Sequence, residues 1–199
     1  YTIRLTKNRK EMKLKELKAF ADQLALFEEF GKSKPYEAQM PEEFKDFASL
    51  IAGYTAYNPW FVEDHIWYAL GHLKHSIYHL SDFLGYDGSD CKNKNIVFLI
   101  DPEAPLEGIG EMIYSALSGH NCWLSMPESD IPLYKSVIKL IDLTMPGFAG
   151  KFKFQDGLIR DFDAAIGFNQ RLNPTVEKYF SKQPFLKIVS KGRSAVITG

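Results

Sequence analysis

The sequence has few cysteines, no long apolar run and no excess of charge of either sign. Two cysteines in 199 residues are too few for a disulfide framework, so a reducing compartment is expected. The 24 basic and 25 acidic residues give no overall field that would attract nucleic acid or an anionic membrane. No apolar run approaches the roughly 18 to 20 residues that cross a bilayer, and no signal peptide is recognisable. These absences predict a cytoplasmic protein with no nucleic-acid partner and no membrane span.

The first part of the chain carries the apolar periodicity of helices. Helices are predicted over residues 12–30, where Gly31 is a stop signal, over residues 42–54, and from near Phe61 onward. Residues 1–11 precede Met12, a plausible natural start, and are interpreted as an extension. A polar, glycine-containing linker over residues 85–95 then marks the main boundary. The predicted division is a helical segment at 12–90 and an α/β segment at 91–199, which together form one compact unit.

The predicted fold is based mainly on residues 95–130. An uninterrupted apolar run ending at Ile100 is typical of a strand that is covered on both faces of a parallel sheet. A loop, a helix of about three turns closed by Gly119, and a second strand over residues 121–126 complete a βαβ unit. Next come a helix at 131–143 with Asp130 as N-cap, strands at 151–155 and 162–168, a helix at 175–180, and strands at 185–189 and 195–198. The predicted fold class is α/β, with a helical N-terminal segment on a doubly wound, largely parallel sheet.

The order of these segments resembles the acyl-CoA reductases of the luminescence fatty-acid reductase type, a bacterial branch of the aldehyde dehydrogenase superfamily. The matching motifs are Asn-Pro-Trp-Phe at 58–61, Ala-Pro-Leu-Glu-Gly at 104–108, Leu-Ser-Gly-His at 117–120, and the segment 162–199. The resemblance implies a cofactor-binding sheet of the aldehyde dehydrogenase type and NADPH-dependent reduction of a fatty acyl thioester to an aldehyde. It also implies that the nucleophilic cysteine belongs to a catalytic domain beyond the matched segment. As a fragment or as a natural half-length relative, the chain is not expected to reduce acyl-CoA alone.

Candidate cofactor residues follow from this resemblance and from the rule that ligands bind beyond the carboxyl ends of parallel strands. They lie after three predicted strands: Asp101, Pro102, Glu103, Ala104 and Pro105; Ser125 and Glu128; and Phe168 and Asn169. The family usually has small residues and an asparagine in the first turn, a lysine at Ser125, and glycine and serine where Phe168, Asn169 and Gln170 stand. Carboxylates beside a pyrophosphate would cost on the order of 1 kcal/mol each in solvent. Weak NADPH binding is therefore predicted. The alternative is a degenerate, non-catalytic relative that acts as a binding or scaffold module.

Four histidines give a third hypothesis, a metal-binding helical module. His65, His72, His75 and His79 fall within about 80° of one another on an ideal helix, provided that no break occurs near Gly71. His75 and His79 have the i, i+4 spacing of paired metal ligands. No acidic residue completes a recognised motif, so a polar helix face is favoured and no metal is predicted.

Neither cysteine is expected to be a nucleophile. A nucleophilic thiol needs a lowered pKa from a helix N-terminus or a nearby cation. Cys91 lies in the polar linker beside Lys92 but without a histidine near it in sequence, and Cys122 lies in a predicted strand.

Aromatic residues concentrate around the start of the third predicted helix. They are Tyr54, Tyr57, Trp60, Phe61, Trp67 and Tyr68. Most are predicted to pack the helical segment on the sheet. The alternatives are an acyl-chain groove, or an exposed surface that docks a partner or a catalytic domain.

Overall fold

The computed structural model of the chain describes residues 2–33, 41–83, 93–155, 157, 159–168 and 173–188. In these residues six α-helices and five strands follow one another in the predicted order. The helices are α1 (Thr2–Ser33), α2 (Glu42–Ala52), α3 (Glu63–Phe83), α4 (Ile109–Leu117), α5 (Ile131–Thr144) and α6 (Pro174–Phe180). The strands are β1 (Asn95–Ile100), β2 (Asn121–Ser125), β3 (Phe152–Phe154), β4 (Ala164–Phe168) and β5 (Phe185–Ile188). Short 3₁₀ helices span Tyr54–Ala56 and Ala149–Lys151.

All pairings between the described strands are parallel, in the order β3-β2-β1-β4-β5. The chain runs outward from β1 through β2 to β3, and then returns to place β4 on the other side of β1. The direction of winding therefore reverses between β1 and β4. This order confirms the predicted α/β class with a parallel, Rossmann-like sheet.

Both faces of the sheet are covered, as the apolar sequence of β1 requires. Phe98 and Ile100 join a large core that also includes buried residues of α1 to α5. Val97 and Leu99 point to the opposite face and pack in a smaller core with Phe180 of α6. Alternation of side chains along a strand explains the division. The continuous apolar run is needed because residues 97–100 of β1 are buried on both faces of the sheet, while Asn95 and Ile96 at its start are half-buried.

The three N-terminal helices meet through an aromatic cluster centred on Phe27 of α1. Its ring centroid lies 5.0 Å from that of Phe47, in a stacked arrangement, and 5.1 Å from that of Phe44, both on α2. The Trp67 ring of α3 lies 4.9 Å away. Helix α3 in turn contacts α4, while α1 and α2 contact α5. The helical segment therefore packs on the helices of the α/β segment.

The prediction that Gly31 ends the first helix is wrong, because α1 continues to Ser33 and also begins earlier, at Thr2. A Cβ at Gly31 would overlap the six-membered ring of Trp67. Gly31 therefore does not terminate the helix. Its lack of a side chain lets the Trp67 ring of α3 pack closely against α1.

Other predicted boundaries differ from the structure by a few residues. Helix α2 ends at Ala52, where a 3₁₀ turn takes over, and α3 begins at Glu63 and passes Gly71 without a break. The remaining observed bounds are Ile109–Leu117, Asn121–Ser125, Ile131–Thr144, Phe152–Phe154, Ala164–Phe168, Pro174–Phe180 and Phe185–Ile188. The predicted strand at 195–198 and most of the linker at 85–95 lie outside the described residues. None of the described helices is both long enough and apolar enough to cross a membrane.

Candidate functional site

A cleft of about 1850 Å³ lies where the winding of the sheet reverses. One side is formed by the loop that follows β1 and by the start of α4, and the other side is formed by α3. Ile166 of β4 and Leu186 of β5 also line it. In open parallel sheets the position outside the carboxyl ends of the strands, at the reversal, is the usual ligand site.

The loop after β1 brings the candidate cofactor residues predicted there to the wall of the cleft. The lining includes Asp101, Pro102, Glu103, Ala104 and Pro105. The loop is fixed from two sides. The backbone amide of Glu103 donates to Glu107 Oε2 at 2.8 Å, and the buried Tyr134 hydroxyl of α5 donates to the Glu107 carbonyl oxygen at 2.7 Å. Burial raises the pKa of Tyr134 well above its ordinary value, so this hydroxyl remains a donor.

Helix α4 begins at this cleft. Gly108, its N-cap, has a φ of 76°, and Gly110 lies in the first turn. Amides of a first helical turn have no partner within the helix and present a partial positive charge. A phosphate or carboxylate is the kind of group that binds to such amides.

The other predicted cofactor residues are not in the described lining of the cleft. Ser125 ends β2 and lies opposite Leu99 in the parallel register, and Glu128 is exposed in the following loop. Phe168 is only 3% exposed and stacks on Phe98, with ring centroids 6.4 Å apart. A Cβ on Gly108 would lie 2.9 Å from the Phe168 ring. Asn169 and Gln170 lie outside the described residues.

The second wall of the cleft carries the histidines. His65, His72, His75 and His79 all line it from α3. His75 Nε2 lies 3.1 Å from His79 Nε2, and the His72 ring packs edge-on to Tyr68 with centroids 4.6 Å apart. Among the described residues there is no group of three or more histidine, cysteine, aspartate or glutamate side chains that could hold a metal. The sequence predicts a histidine row and a sheet-edge site separately, whereas the structure brings them to one cleft.

The two walls differ in chemistry. The β1–α4 side carries the carboxylates of Asp101, Glu103 and Glu111, whereas the α3 side carries imidazole and aromatic rings. Trp60 is 85% exposed and Tyr68 is 71% exposed, and both line the cleft. The site therefore offers backbone amides, stacking surfaces and carboxylates to a ligand.

The aromatic residues near α3 are core only in part. Tyr54 and Phe61 are buried and Trp67 is half-buried, as predicted, but Tyr57, Trp60 and Tyr68 are exposed. The prediction that most of the six pack in the core is therefore wrong for half of them. Helical periodicity indicates which residues share a face, but it does not indicate that a neighbouring face stays open.

The Asn-Pro-Trp-Phe motif has a structural role that the sequence does not indicate. Asn58 Nδ2 donates to Asp130 Oδ1 at 3.0 Å, and Asn58 Oδ1 accepts from the backbone amide of Trp60 at 3.0 Å. Asp130 is almost fully buried, and its Oδ2 also accepts from the Ser129 hydroxyl at 3.3 Å. The Tyr54 hydroxyl donates to the Ser129 carbonyl oxygen at 2.8 Å. The motif therefore fastens the helical segment to the loop between β2 and α5.

Asp130 stands at the N-cap position of α5, as predicted, but its side chain makes no capping hydrogen bond there. Its carboxylate bonds to Asn58 and Ser129 instead. Burial raises the pKa of Asp130, while the bonds from Asn58 and Ser129 act in the opposite direction.

Cys122 has the surroundings of a structural cysteine. Its side chain is fully buried, with Sγ 3.5 Å from the Met112 carbonyl oxygen, and burial raises the pKa of the thiol to about 11. Because the thiolate is the reactive form, this residue is unsuited to nucleophilic attack. Cys91 lies outside the described residues.

No protein-family model, no curated protein and no solved structure matches this chain. The fold and the cleft define an α/β protein with a parallel, Rossmann-like sheet and a ligand-sized opening at its winding reversal.

Proposed function

We propose that the chain is the NAD(P)H-binding part of an acyl-CoA reductase-like protein and that it works in the cytoplasm. The observation that carries the proposal is the position of the cleft at the winding reversal, beside the loop after β1 and the first turn of α4. Sheets of this strand order bind dinucleotides at that point. The first-turn amides of Gly110 and Glu111 suit a phosphate, whereas the Ile109 amide already donates to the Leu106 carbonyl oxygen at 3.1 Å. Trp60 and Tyr68 offer faces for a base or a nicotinamide ring.

The acyl-CoA part of the proposal rests on the sequence resemblance, as does the assignment of the sheet to the aldehyde dehydrogenase type. In that chemistry a cysteine thiolate attacks the acyl thioester, and hydride from the cofactor then releases the aldehyde. Buried Cys122, with its raised thiol pKa, does not suit that step. We therefore assign cofactor binding to this chain and acyl transfer to a catalytic domain that acts as its partner. The chain alone is expected to form no aldehyde from acyl-CoA and NADPH.

The second candidate is a degenerate relative that serves as a binding or scaffold module. Two observations favour it. Carboxylates of Asp101, Glu103 and Glu111 line the cleft where a pyrophosphate would lie. The Phe168 ring also packs directly against Gly108 at the start of α4, which brings an apolar group close to the expected phosphate position. In this candidate the exposed faces of Trp60 and Tyr68 would contact a protein instead of a nucleotide.

Calorimetric titration of the full chain with NADPH separates the two candidates when a pair of glycine variants is included. A Cβ at Gly110 or at Gly150 would meet no atom within 4 Å, so a glutamate fits at either position. Gly110→Glu places a carboxylate at the first turn of α4 inside the cleft. Gly150→Glu places the same carboxylate in the 3₁₀ helix before β3, outside the cleft lining, and is the matched control.

We expect NADPH to bind the wild type and Gly150→Glu with equal affinity, and we expect Gly110→Glu to raise the dissociation constant at least about tenfold through charge repulsion. Equal affinity in all three proteins would place the cofactor elsewhere. An absence of binding to the wild type at millimolar NADPH would reject the cofactor assignment in favour of the scaffold candidate. Unfolding midpoints without ligand verify that each variant is folded.

A further inference from the structure

We propose that His75 and His79 form a two-ligand site for a borderline divalent transition metal on the α3 wall of the cleft. The cation to test is Zn²⁺. This inference is independent of the proposed cofactor function, because it depends only on two neighbouring side chains of α3.

The geometry of the pair matches metal ligation. The residues lie one helical turn apart, and their Nε2 atoms are 3.1 Å apart, with ring centroids separated by 4.5 Å. Two nitrogens bound to tetrahedral zinc at about 2.0–2.1 Å would be separated by about 3.3 Å. Closing on an ion would therefore change the nitrogen separation by only a few tenths of an ångström.

The two ring nitrogens that face each other are atoms that can bind a cation. Two nitrogens this close cannot both carry a proton that points at the other, so one Nε2 donates and its neighbour accepts. When the donating ring carries its proton on Nδ1 instead of Nε2, the lone pairs of both Nε2 atoms face the same point, and an ion can bind there with both rings neutral. Imidazole nitrogen is a preferred ligand of zinc, nickel and copper, whereas magnesium and calcium prefer oxygen.

The position of the pair leaves room for the rest of the coordination sphere. Both rings are exposed and line the cleft, so water or an atom of a bound ligand can complete the sphere from the open side. A tetrahedral zinc ion held by two imidazoles keeps two positions for water or for atoms of another ligand. Since no third described side chain completes a cluster, the bound ion is expected to exchange readily. Its affinity should fall on acidification, because a proton competes for the same lone pairs.

The neighbouring histidines of α3 are poorly placed to substitute for the pair. His72 packs its ring on Tyr68. His65 lies ten residues before His75, which is about 15 Å along the helix axis, although it lines the same cleft. His65→Asn is therefore a matched control, since it removes one exposed imidazole from the same helix and the same cleft.

The test is calorimetric titration of the untagged full chain with Zn²⁺ at neutral pH, after treatment with a chelator. We expect one ion per chain, an affinity at least about tenfold lower in His75→Asn and in His79→Asn, and less than about a twofold change in His65→Asn. Zn²⁺ should also raise the unfolding midpoint of the wild type, because a ligand that binds only the folded state stabilises it. That increase should be lost in the two variants of the pair.

Three results would overturn the site. They are no heat of binding at millimolar Zn²⁺, unchanged affinity in either variant of the pair, and an equal loss of affinity in His65→Asn. Because all three histidines are exposed, the substitutions should leave the metal-free unfolding midpoint nearly unchanged. Measuring that midpoint separates loss of the site from loss of the fold.

Discussion

Asp130 is 1% exposed and accepts a hydrogen bond from Asn58, which lies 72 positions earlier in the chain. A buried carboxylate is costly unless its oxygens are hydrogen-bonded. Asn58 and Ser129 supply one bond to each oxygen. The hydrogen bond from Asn58 therefore stabilises the loop between β2 and α5, and it forms only when the Asn-Pro-Trp-Phe turn is in its observed position.

We expect Asn58→Ala to lower the free energy of unfolding by about 1–3 kcal/mol, because it leaves a buried acceptor without its donor. Urea unfolding of the variant and the wild type measures the loss. The same substitution in an Asp130→Ala background should cost clearly less, since the carboxylate is then absent. Equal losses in the two backgrounds would show that Asn58 stabilises the turn by some means other than Asp130.

The pH dependence of stability gives a separate test of Asp130. Its pKa in the folded state is raised above the ordinary 3.8, chiefly by burial. The folded state therefore binds more protons than the unfolded state between these two pKa values, and stability falls as pH rises through that window.

Asp130→Asn should remove this contribution. We therefore expect its free energy of unfolding, relative to that of the wild type, to rise as the pH increases above 3.8 and to level off once the carboxyl group of the folded wild type is ionised. Urea unfolding at a series of pH values measures the difference. A difference that is independent of pH would mean that the carboxylate titrates normally.

At the scale of elements, local sequence predicts those features whose causes are local. Asn173 and Pro174 predict the start of a helix, and the Asn173 side chain does accept from the Thr175 amide at 2.8 Å. The sequence predicts strand β1 with its observed bounds, because both of its faces are apolar. The prediction fails at Gly31 because its neighbour Trp67 comes from another helix. The apolar periodicity of α1 or of α3 does not predict a contact between the two helices.

We expect Gly31→Ala to destabilise the protein by about 1–3 kcal/mol, because the added methyl group forces the Trp67 ring out of its packing. That ring is held against Phe27 and donates a hydrogen bond to Glu63, so it has little freedom to move. Thermal or urea unfolding measures the loss.

Gly71→Ala is the matched control within α3. A Cβ there would meet the nearest atom, Glu28 Oε1, at an ordinary 3.5 Å. It should stabilise the helix by about 0.5–1 kcal/mol through helix propensity. If both variants changed stability in the same direction, the overlap with Trp67 would not be what fixes glycine at position 31.

At the scale of the whole molecule, the large core passes without interruption from α1, α2 and α3 into α4, α5 and the sheet. The polar linker is predicted to separate a helical segment from an α/β segment. In the structure, buried residues of both segments belong to the same core. Composition predicts the linker but not the shared core, because the faces that meet are distant in sequence. For the same reason the sequence predicts the residues after β1 as a site, but not the histidine wall that faces them.

A shared core predicts a single cooperative unfolding transition. In Trp123→Phe, fluorescence comes only from Trp60 and Trp67 of the helical segment, because the chain has three tryptophans. We expect its urea midpoint to coincide with the midpoint of far-UV circular dichroism. We also expect the calorimetric and van't Hoff enthalpies of the wild type to agree. Two separated transitions would mean that the helical segment and the sheet unfold independently.

The exposed ring of Trp60 at the rim of the cleft gives the molecule an intrinsic optical reporter. An indole in water changes its emission when another molecule displaces the solvent around it or takes up its excitation energy, as a reduced nicotinamide does. Entry of a small molecule into the cleft can therefore be followed in native, unlabelled protein by the emission that Trp60→Phe removes. Metabolite collections can then be screened against the cleft before the chemical class of its ligand has been identified.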